Sequence, residues 1–357
     1  MMSDAVGSQA YQRTLDPTDI ARRSLAGQCL SRDESLAILR WPDERLLGLL
    51  QAAFDVRRAY YGKRVKVCVL QNARSGLCPE DCHYCSQSSV SEAKIAKYTL
   101  LSVEQLVDGA RRAVEAKAKR YCMVTSGRGP SDDDISHFCE AARQIKQRYP
   151  VEICVSLGIA SEQQAVRLKN AGVGWVNHNL NTSQRHHPSI CATHTYQDRI
   201  NTVLNVKKAG MNTCSGAIIG MGETDEDIVD FALALRQLEV DSLPVNFLHA
   251  IAGTPFEGFR FLTPVKCLKV LCLVRFLNPK SDLRAAGGRE VNLRSLQALA
   301  LYPANSIFVE GYLTTPGQEA TSAHAMIADL GFELEAQDQM PSRRTCEPLN
   351  VVAALRE

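Results

Sequence analysis

The stretch VEICVSLGIASEQQAVRLKNAGVGWVNHNLN, residues 151–181, decides the fold class. It opens with EICVSLG (152–158), where Cys154, Ser156 and Gly158 alternate with Ile153, Val155 and Leu157. That is the period of two expected of a strand. Ser161 then stands where a helix N-cap is wanted, SEQQAVRLKN supplies the helix, and Gly172 sits just past its end, the usual place for a left-handed stop. WVNHNLN (175–181) resumes the strand pattern. Strand, helix and strand make a βαβ unit, whose two strands run parallel.

The same rhythm extends in both directions. VKVCVLQN (65–72) and RYCMVTSG (120–127) precede this unit. NTCSGAIIG (212–220), LPVNFLHA (243–250), DLRAAGG (282–288) and NSIFVEGYL (305–313) follow it, giving eight strand candidates. Helix starts are marked between them. Ser102 with Gln105 forms a capping-box pattern, and Thr224 opens TDEDIVDFALALRQL with acids in its first turn, which complement the helix dipole. Eight such units match, in count and length, an α/β fold of the closed (β/α)8 TIM-type barrel kind over residues 61–332. An N-terminal helical extension (1–60) precedes it and a polar C-terminal tail (333–357) follows. A doubly wound open sheet is the alternative topology.

Composition excludes several function classes. With 357 residues, 45% of them hydrophobic, the chain can bury one large core. The formal net charge of +2 and the lack of a long lysine–arginine run give a nucleic-acid partner no electrostatic support. No run of about 18 apolar residues reads as a membrane span. The first twenty residues lack a basic start and an apolar centre, so the expected location is the cytoplasm. Thirteen cysteines is then an unusual number. In a long chain without a secretory signal, metal or cluster ligation explains them better than a disulfide framework.

Three of these cysteines fall in GLCPEDCHYC (76–85), where Cys78, Cys82 and Cys85 have C-x3-C-x2-C spacing. Sulfur ligands favour zinc or iron–sulfur clusters. Structural zinc wants four ligands, whereas a 4Fe-4S cluster on three cysteines leaves one iron open to a small molecule. A zinc knuckle is the competing reading. Cys122, Cys154 and Cys214 lie in the second, third and fifth expected strands, and alternation directs them into the barrel lumen, where side chains from different strands meet. Each alone could instead be a small buried hydrophobe. In WVNHNLN, period two puts Asn177, Asn179 and Asn181 on one face and His178 on the other. Asn246 joins them from the sixth strand. Asparagine is depleted in strands, so this face wants polar partners, a ligand or a water network.

The triplet resembles the signature of radical S-adenosylmethionine (SAM) enzymes. GLCPEDCHYCSQSS, NHNLNTS, CSGAIIGMGET, VNFLHAIAGTP, GGREVNLRS and LYPANSIF, in that order, extend the resemblance to the biotin synthase family across about residues 65–330. The resemblance implies sulfur insertion into dethiobiotin, with SAM chelated at the open iron of the 4Fe-4S cluster and cleaved to a 5′-deoxyadenosyl radical that abstracts hydrogen. It implies a second, 2Fe-2S cluster on Cys122, Cys154, Cys214 and Arg284, which donates sulfur. From the residues alone, Arg284 would be a lumen counter-ion.

The resemblance also assigns Tyr84 to the adenine, Arg199 to the SAM carboxylate, and the glycine-rich CSGAIIGMGET to close backbone approach. Asn177 and Asn246 match the residues that hold the ureido ring, and Asn179 lies between substrate and SAM ribose. Asn181 replaces an aspartate common in the family, a neutral acceptor for a charged one. Thr314 and Thr315 match donors to the dethiobiotin carboxylate. For Arg199 the alternative is an exposed helix salt bridge. A homodimer and an electron donor such as flavodoxin or ferredoxin are implied as well. Cys29, Cys68, Cys139, Cys191, Cys267, Cys272 and Cys346 receive no role. Rival readings are another radical SAM barrel, which would lack the second set, and a metal-binding scaffold without turnover.

Overall fold

The computed structural model describes residues 15–337. The first part of the expected N-terminal extension, residues 1–14, and the tail from residue 338, with Cys346, lie outside the described residues.

The strands are β1 (Arg64–Arg74), β2 (Arg120–Thr125), β3 (Glu152–Ser156), β4 (Trp175–Asn177), β5 (Asn212–Cys214), β6 (Ala217–Ile219), β7 (Ser242–Phe247), β8 (Asp282–Ala285), β9 (Ser306–Phe308) and β10 (Glu333–Leu334). All their pairings are parallel, in the order β1-β2-β3-β4-β5-β7-β8-β9, and β9 pairs back onto β1. The sheet therefore closes. With β5 and β6 occupying one position, it is an eight-position barrel, not the open sheet.

The expected fifth strand, 212–220, is split. Its neighbour β7 carries Pro244, which has no N–H to donate, and the ladder lapses beside it. WVNHNLN is also shorter as a strand than expected, because the continuous ladder breaks after Asn177 and resumes only as a single bridge between Asn181 and Ala217. At the other end of the chain, the start of the expected polar tail is a strand: Glu333 and Leu334 pair with Arg64 and Val65.

The helix signals in the sequence are met. Ser102 and Gln105, Ser161 and Gln164, and Thr224 and Asp227 each form reciprocal capping boxes. These open α4 (Val103–Glu115), α6 (Glu162–Asn170) and α8 (Asp225–Gln237), while Asp132–Arg148 is α5 and Tyr196–Lys208 is α7. Among the described residues three α-helices precede the barrel: α1 (Pro17–Leu25), α2 (Arg32–Leu39) and α3 (Leu46–Tyr61). They dock on α9 (Pro264–Leu277), where Ser24 donates to the Phe276 carbonyl at 2.7 Å. Cys267 and Cys272 are wholly buried core residues of α9.

Alternation separates two interiors. Ile153, Val155 and Val176 belong to the large core between strands and helices. Cys154 and Trp175 belong to a separate lumen cluster with Cys68, Cys122, Ala286 and Phe308. Beneath that cluster runs an ionic layer. Arg120 Nε meets Glu152 at 2.9 Å, Lys66 lies 3.4 Å from Asp282, and the Arg120 guanidinium stacks 3.5 Å from the Trp175 ring centroid. This layer fixes the floor on which the site is built.

Candidate active site

A cavity of about 380 Å³ occupies the barrel mouth. Every residue singled out from the sequence lines it: Cys78, Cys82, Tyr84 and Cys85 from the loop after β1, the three lumen cysteines, the four asparagines, Arg199, Arg284, Thr314 and Thr315. In parallel α/β barrels this end gathers the loops that bind ligands.

Cys82, with the partly buried Cys85 packed beside it, sits in an apolar cluster with Ile190, Met221, Leu248 and Phe256, while Cys78 lies outside that cluster and is partly exposed. Burial pushes the Cys85 thiol up to about 11 and also raises Cys78. Cys82 is raised by its bond to Cys191 and by burial. Three thiols held neutral, with their backbone fixed by bonds such as Cys85 N–H to the Cys82 carbonyl at 3.1 Å, suit a cationic inorganic centre, which would supply the charge that thiolates need.

Across the cavity, Cys122 and Cys154 are direct register partners on β2 and β3. The adjacent Cys122 thiol, with burial, keeps Cys154 protonated well above its usual range. The Cys154 thiol beside it, with Arg284 and Arg120 nearby, lowers Cys122 against burial. Cys214 pairs with Asn177, whereas Cys154 pairs with Trp175, so in strand register Cys214 stands two residues further along than Cys154. The stagger of a closed barrel accommodates this, and all three line the same cavity.

Arg284 is 1% exposed. Its Nε donates to Ser306 Oγ at 3.0 Å and its Nη2 is 3.8 Å from Asp282, too far for a hydrogen bond. That Nη2 has no hydrogen-bond partner. Near the floor it is a third cation beside Lys66 and Arg120, against two carboxylates, Glu152 and Asp282. A buried guanidinium with an unused donor, beside three thiols, fits a sulfide-bearing anionic group.

Arg199 is equally informative. It is buried on α7, donates to the Asn179 carbonyl at 2.8 Å and to His187 Nε2 at 3.3 Å, and has no carboxylate partner among the described residues. Burial, followed by Arg199 itself, lowers His187 to about 4, so that neighbour stays neutral. The exposed salt bridge is not what the structure shows. The Asn181 carboxamide, turned so that its oxygen faces donors, accepts from both Arg199 Nη atoms at 3.2 Å and from the Tyr84 hydroxyl at 2.5 Å.

The remaining amides are partly committed. Asn177 donates to Asn179 Oδ1 at 3.0 Å and to Cys214 Sγ at 3.2 Å, and accepts from Ser156. Asn246 donates to the Ala217 carbonyl and accepts from Gly287 N–H, both at 2.9 Å, leaving one N–H and one lone pair for a ligand. Thr314 bonds Ser86 at 2.7 Å. His178 departs from its expected outward position: the strand has ended at Asn177, period two no longer applies, and His178 lines the cavity as well. Burial holds it neutral. Cys68 in the lumen cluster, and Cys191 with His194 beside Cys82, carried no local spacing signal in the sequence.

Comparison with known proteins agrees with this geometry. The family model described as the radical SAM superfamily matches residues 74–235, and the one described as the biotin and thiamin synthesis associated domain matches residues 244–333. The chain is 54% identical over 321 residues to the biotin synthase of Halalkalibacterium halodurans, covering 90% of this chain and 96% of that one. The chain belongs to the biotin synthase family. The biotin synthase of Bacillus subtilis is 53% identical over 322 residues, with the same shares of the two chains covered. Among solved structures, methylornithine synthase (PylB) has a TM-score of 0.78 at 20% identity, covering 89% of this chain and 98% of that one. The hydrogenase maturase HydG from Carboxydothermus hydrogenoformans has 0.76 at 18%, covering 92% and 82%. These two likenesses establish the barrel fold only. Biotin synthase relatives, by contrast, match along nearly their whole length. No helix among the described residues is long and apolar enough to cross a membrane.

Proposed function

We propose that this chain inserts sulfur into dethiobiotin to make biotin, using SAM, a 4Fe-4S cluster on Cys78, Cys82 and Cys85, and a 2Fe-2S cluster on Cys122, Cys154, Cys214 and Arg284. The observation that carries the reading is the single cavity lined by both cysteine sets, with the amides and hydroxyls between them. When bound, these groups supply electron transfer, hydrogen abstraction from an unactivated carbon, and sulfur. No side-chain acid or base could remove that hydrogen, so the protein's task is to bind, orient and keep water out.

Arg199 would hold the SAM carboxylate through its uncompensated guanidinium, a charge-assisted contact. Tyr84 would lie against the adenine, and Asn179 and Asn181 would bond the ribose. Asn181 already accepts from Arg199, so its neutral oxygen keeps that guanidinium in place without cancelling its charge. Asn177 and Asn246 would hold the ureido ring with their remaining donors and acceptors, shared with Asn179. Thr314 and Thr315 would donate to the substrate carboxylate. Arg284 would hold the sulfur-donating cluster with its unused Nη2.

An electron carrier of the flavodoxin or ferredoxin kind, a homodimer and the cytoplasm complete the proposal. The twelve cysteines among the described residues are all free, which suits a reducing compartment. Anaerobic reconstitution followed by Mössbauer spectroscopy tests the reading. Two distinct clusters per chain, with SAM cleavage that depends on dethiobiotin, are expected; a single cluster, or zinc alone, overturns it.

A further inference from the structure

We propose that Cys82, Cys191 and His194 form a further metal site, distinct from the two clusters, for a borderline-soft divalent cation of the zinc class. It operates when Cys82 carries no cluster. Cys82 comes from the loop after β1, and Cys191 and His194 from the segment before α7, so two loops clamp the site. Their ligand atoms all lie within 4.8 Å of one another, and all three residues are buried.

The distances suit one ion. Tetrahedral zinc, with bonds of about 2.3 Å to sulfur and about 2.05 Å to nitrogen, places two sulfurs about 3.8 Å apart and a sulfur about 3.6 Å from an imidazole nitrogen. Cys82 Sγ and Cys191 Sγ are 3.7 Å apart. Cys191 Sγ lies 3.4 Å from His194 Nδ1 and 3.7 Å from Nε2. The imidazole is also oriented for ligation. Glu80 bonds Nδ1, which places the ring proton there and leaves the Nε2 lone pair for a metal. Carboxylate, histidine and metal in that order is the usual support for a histidine ligand.

The rest of the surroundings hold the two loops together. Asp81 accepts from Ala192 N–H at 3.0 Å and from Thr193 N–H at 3.2 Å, while Thr193 Oγ1 donates to Glu80 at 2.7 Å. His83 N–H reaches the Ile190 carbonyl at 3.0 Å. The cation would release the thiol protons on binding and keep a fourth position for water. Since Cys82 is also a member of the triplet, this cation and the 4Fe-4S cluster exclude one another. That exclusion rests on the function proposed above; the cation site does not.

The test uses the full chain, reduced, stripped of metal with a chelator and kept anaerobic. Titration with cobalt(II) should give one equivalent with thiolate charge-transfer and tetrahedral d–d absorption, displaced by zinc. Cys191→Ser and His194→Ala should each weaken binding tenfold or more, and Glu80→Gln by roughly tenfold to a hundredfold, the range for outer-shell partners. Cys78→Ser and Cys85→Ser should leave it unchanged. Cobalt bound as tightly by Cys191→Ser as by the parent, or binding lost in Cys78→Ser or Cys85→Ser, overturns the proposal. Zinc-loaded chain given iron and sulfide should build one cluster fewer than zinc-free chain. If zinc-free chain builds no cluster on the triplet, the cluster assignment falls while the cation site stands.

Discussion

Cys122 and Cys154 face each other across β2 and β3 as register partners, and both side chains are buried in the lumen cluster. Truncating Cys154 removes one sulfur from the cavity side of β3 and leaves Ile153 and Val155, which face the main core, untouched. Cys154→Ala should therefore fold, lose the smaller cluster and keep the larger one. Iron per chain, taken anaerobically, should fall by the two atoms of a 2Fe-2S centre. SAM should still bind while biotin formation is lost. Retained biotin output would contradict the assigned sulfur donor.

Arg199 offers a second test. Its guanidinium has only neutral acceptors around it: a backbone carbonyl, His187 and the Asn181 amide. Hydrogen bonds to charged groups contribute about 1.5–3 kcal/mol. Arg199→Gln should thus weaken SAM binding roughly tenfold to a hundredfold, read by equilibrium dialysis on reconstituted protein. Unchanged affinity would remove Arg199 from the SAM site.

Local rules made the barrel legible. Period two sorted Cys154 from Ile153 and Val155, and capping signals such as Ser102 with Gln105 marked where helices begin. Other features depend on what a residue meets across the sheet. The break at Ser215–Gly216 answers to Pro244 on the neighbouring strand, which no window along 212–220 contains. His178 lines the cavity because pairing ends one residue earlier. Cys82 and Cys191 touch across 109 positions of sequence, so spacing could not suggest them. Arg284 comes from resemblance alone; that its Nη2 is buried without a hydrogen-bond partner depends on packing that no stretch of sequence displays.

The ionic floor gives a pH dependence. Burial alone would raise Asp282, but Lys66, Arg120 and Arg284 overcome it and hold the carboxyl far below its ordinary value. Glu152 is likewise lowered, by Arg120 and Lys66 against burial. A folded value below the unfolded one means that both contribute stability above about pH 4, the unfolded range, and that this is lost as pH falls through the lower folded values. Urea unfolding should show a steep acid limb below about pH 4. Asp282→Asn, which strands buried cations, should cost about 3–5 kcal/mol at neutral pH and flatten that limb. An acid limb unchanged in the variant would show that other carboxylates set it.

Gly216 couples the split strand to the site. A Cβ there would sit 1.8 Å from the Pro244 carbonyl oxygen, a contact that only movement of the backbone can relieve. The same residue donates its N–H to Asn179 Oδ1 at 3.0 Å, and its carbonyl accepts from Asn181 N–H at 2.9 Å. Gly216→Ala should force this segment off β7 and displace both asparagines. Overpacking of this sort costs about 1–3 kcal/mol, so the melting temperature should fall by several degrees. SAM affinity should fall with it, since Asn181 also steadies Arg199 and Tyr84. Gly258→Ala, where an added Cβ meets nothing within 4 Å, is the matched control and should change neither reading. If Gly216→Ala loses stability yet binds SAM as the parent does, Asn179 and Asn181 are not held in place by this glycine.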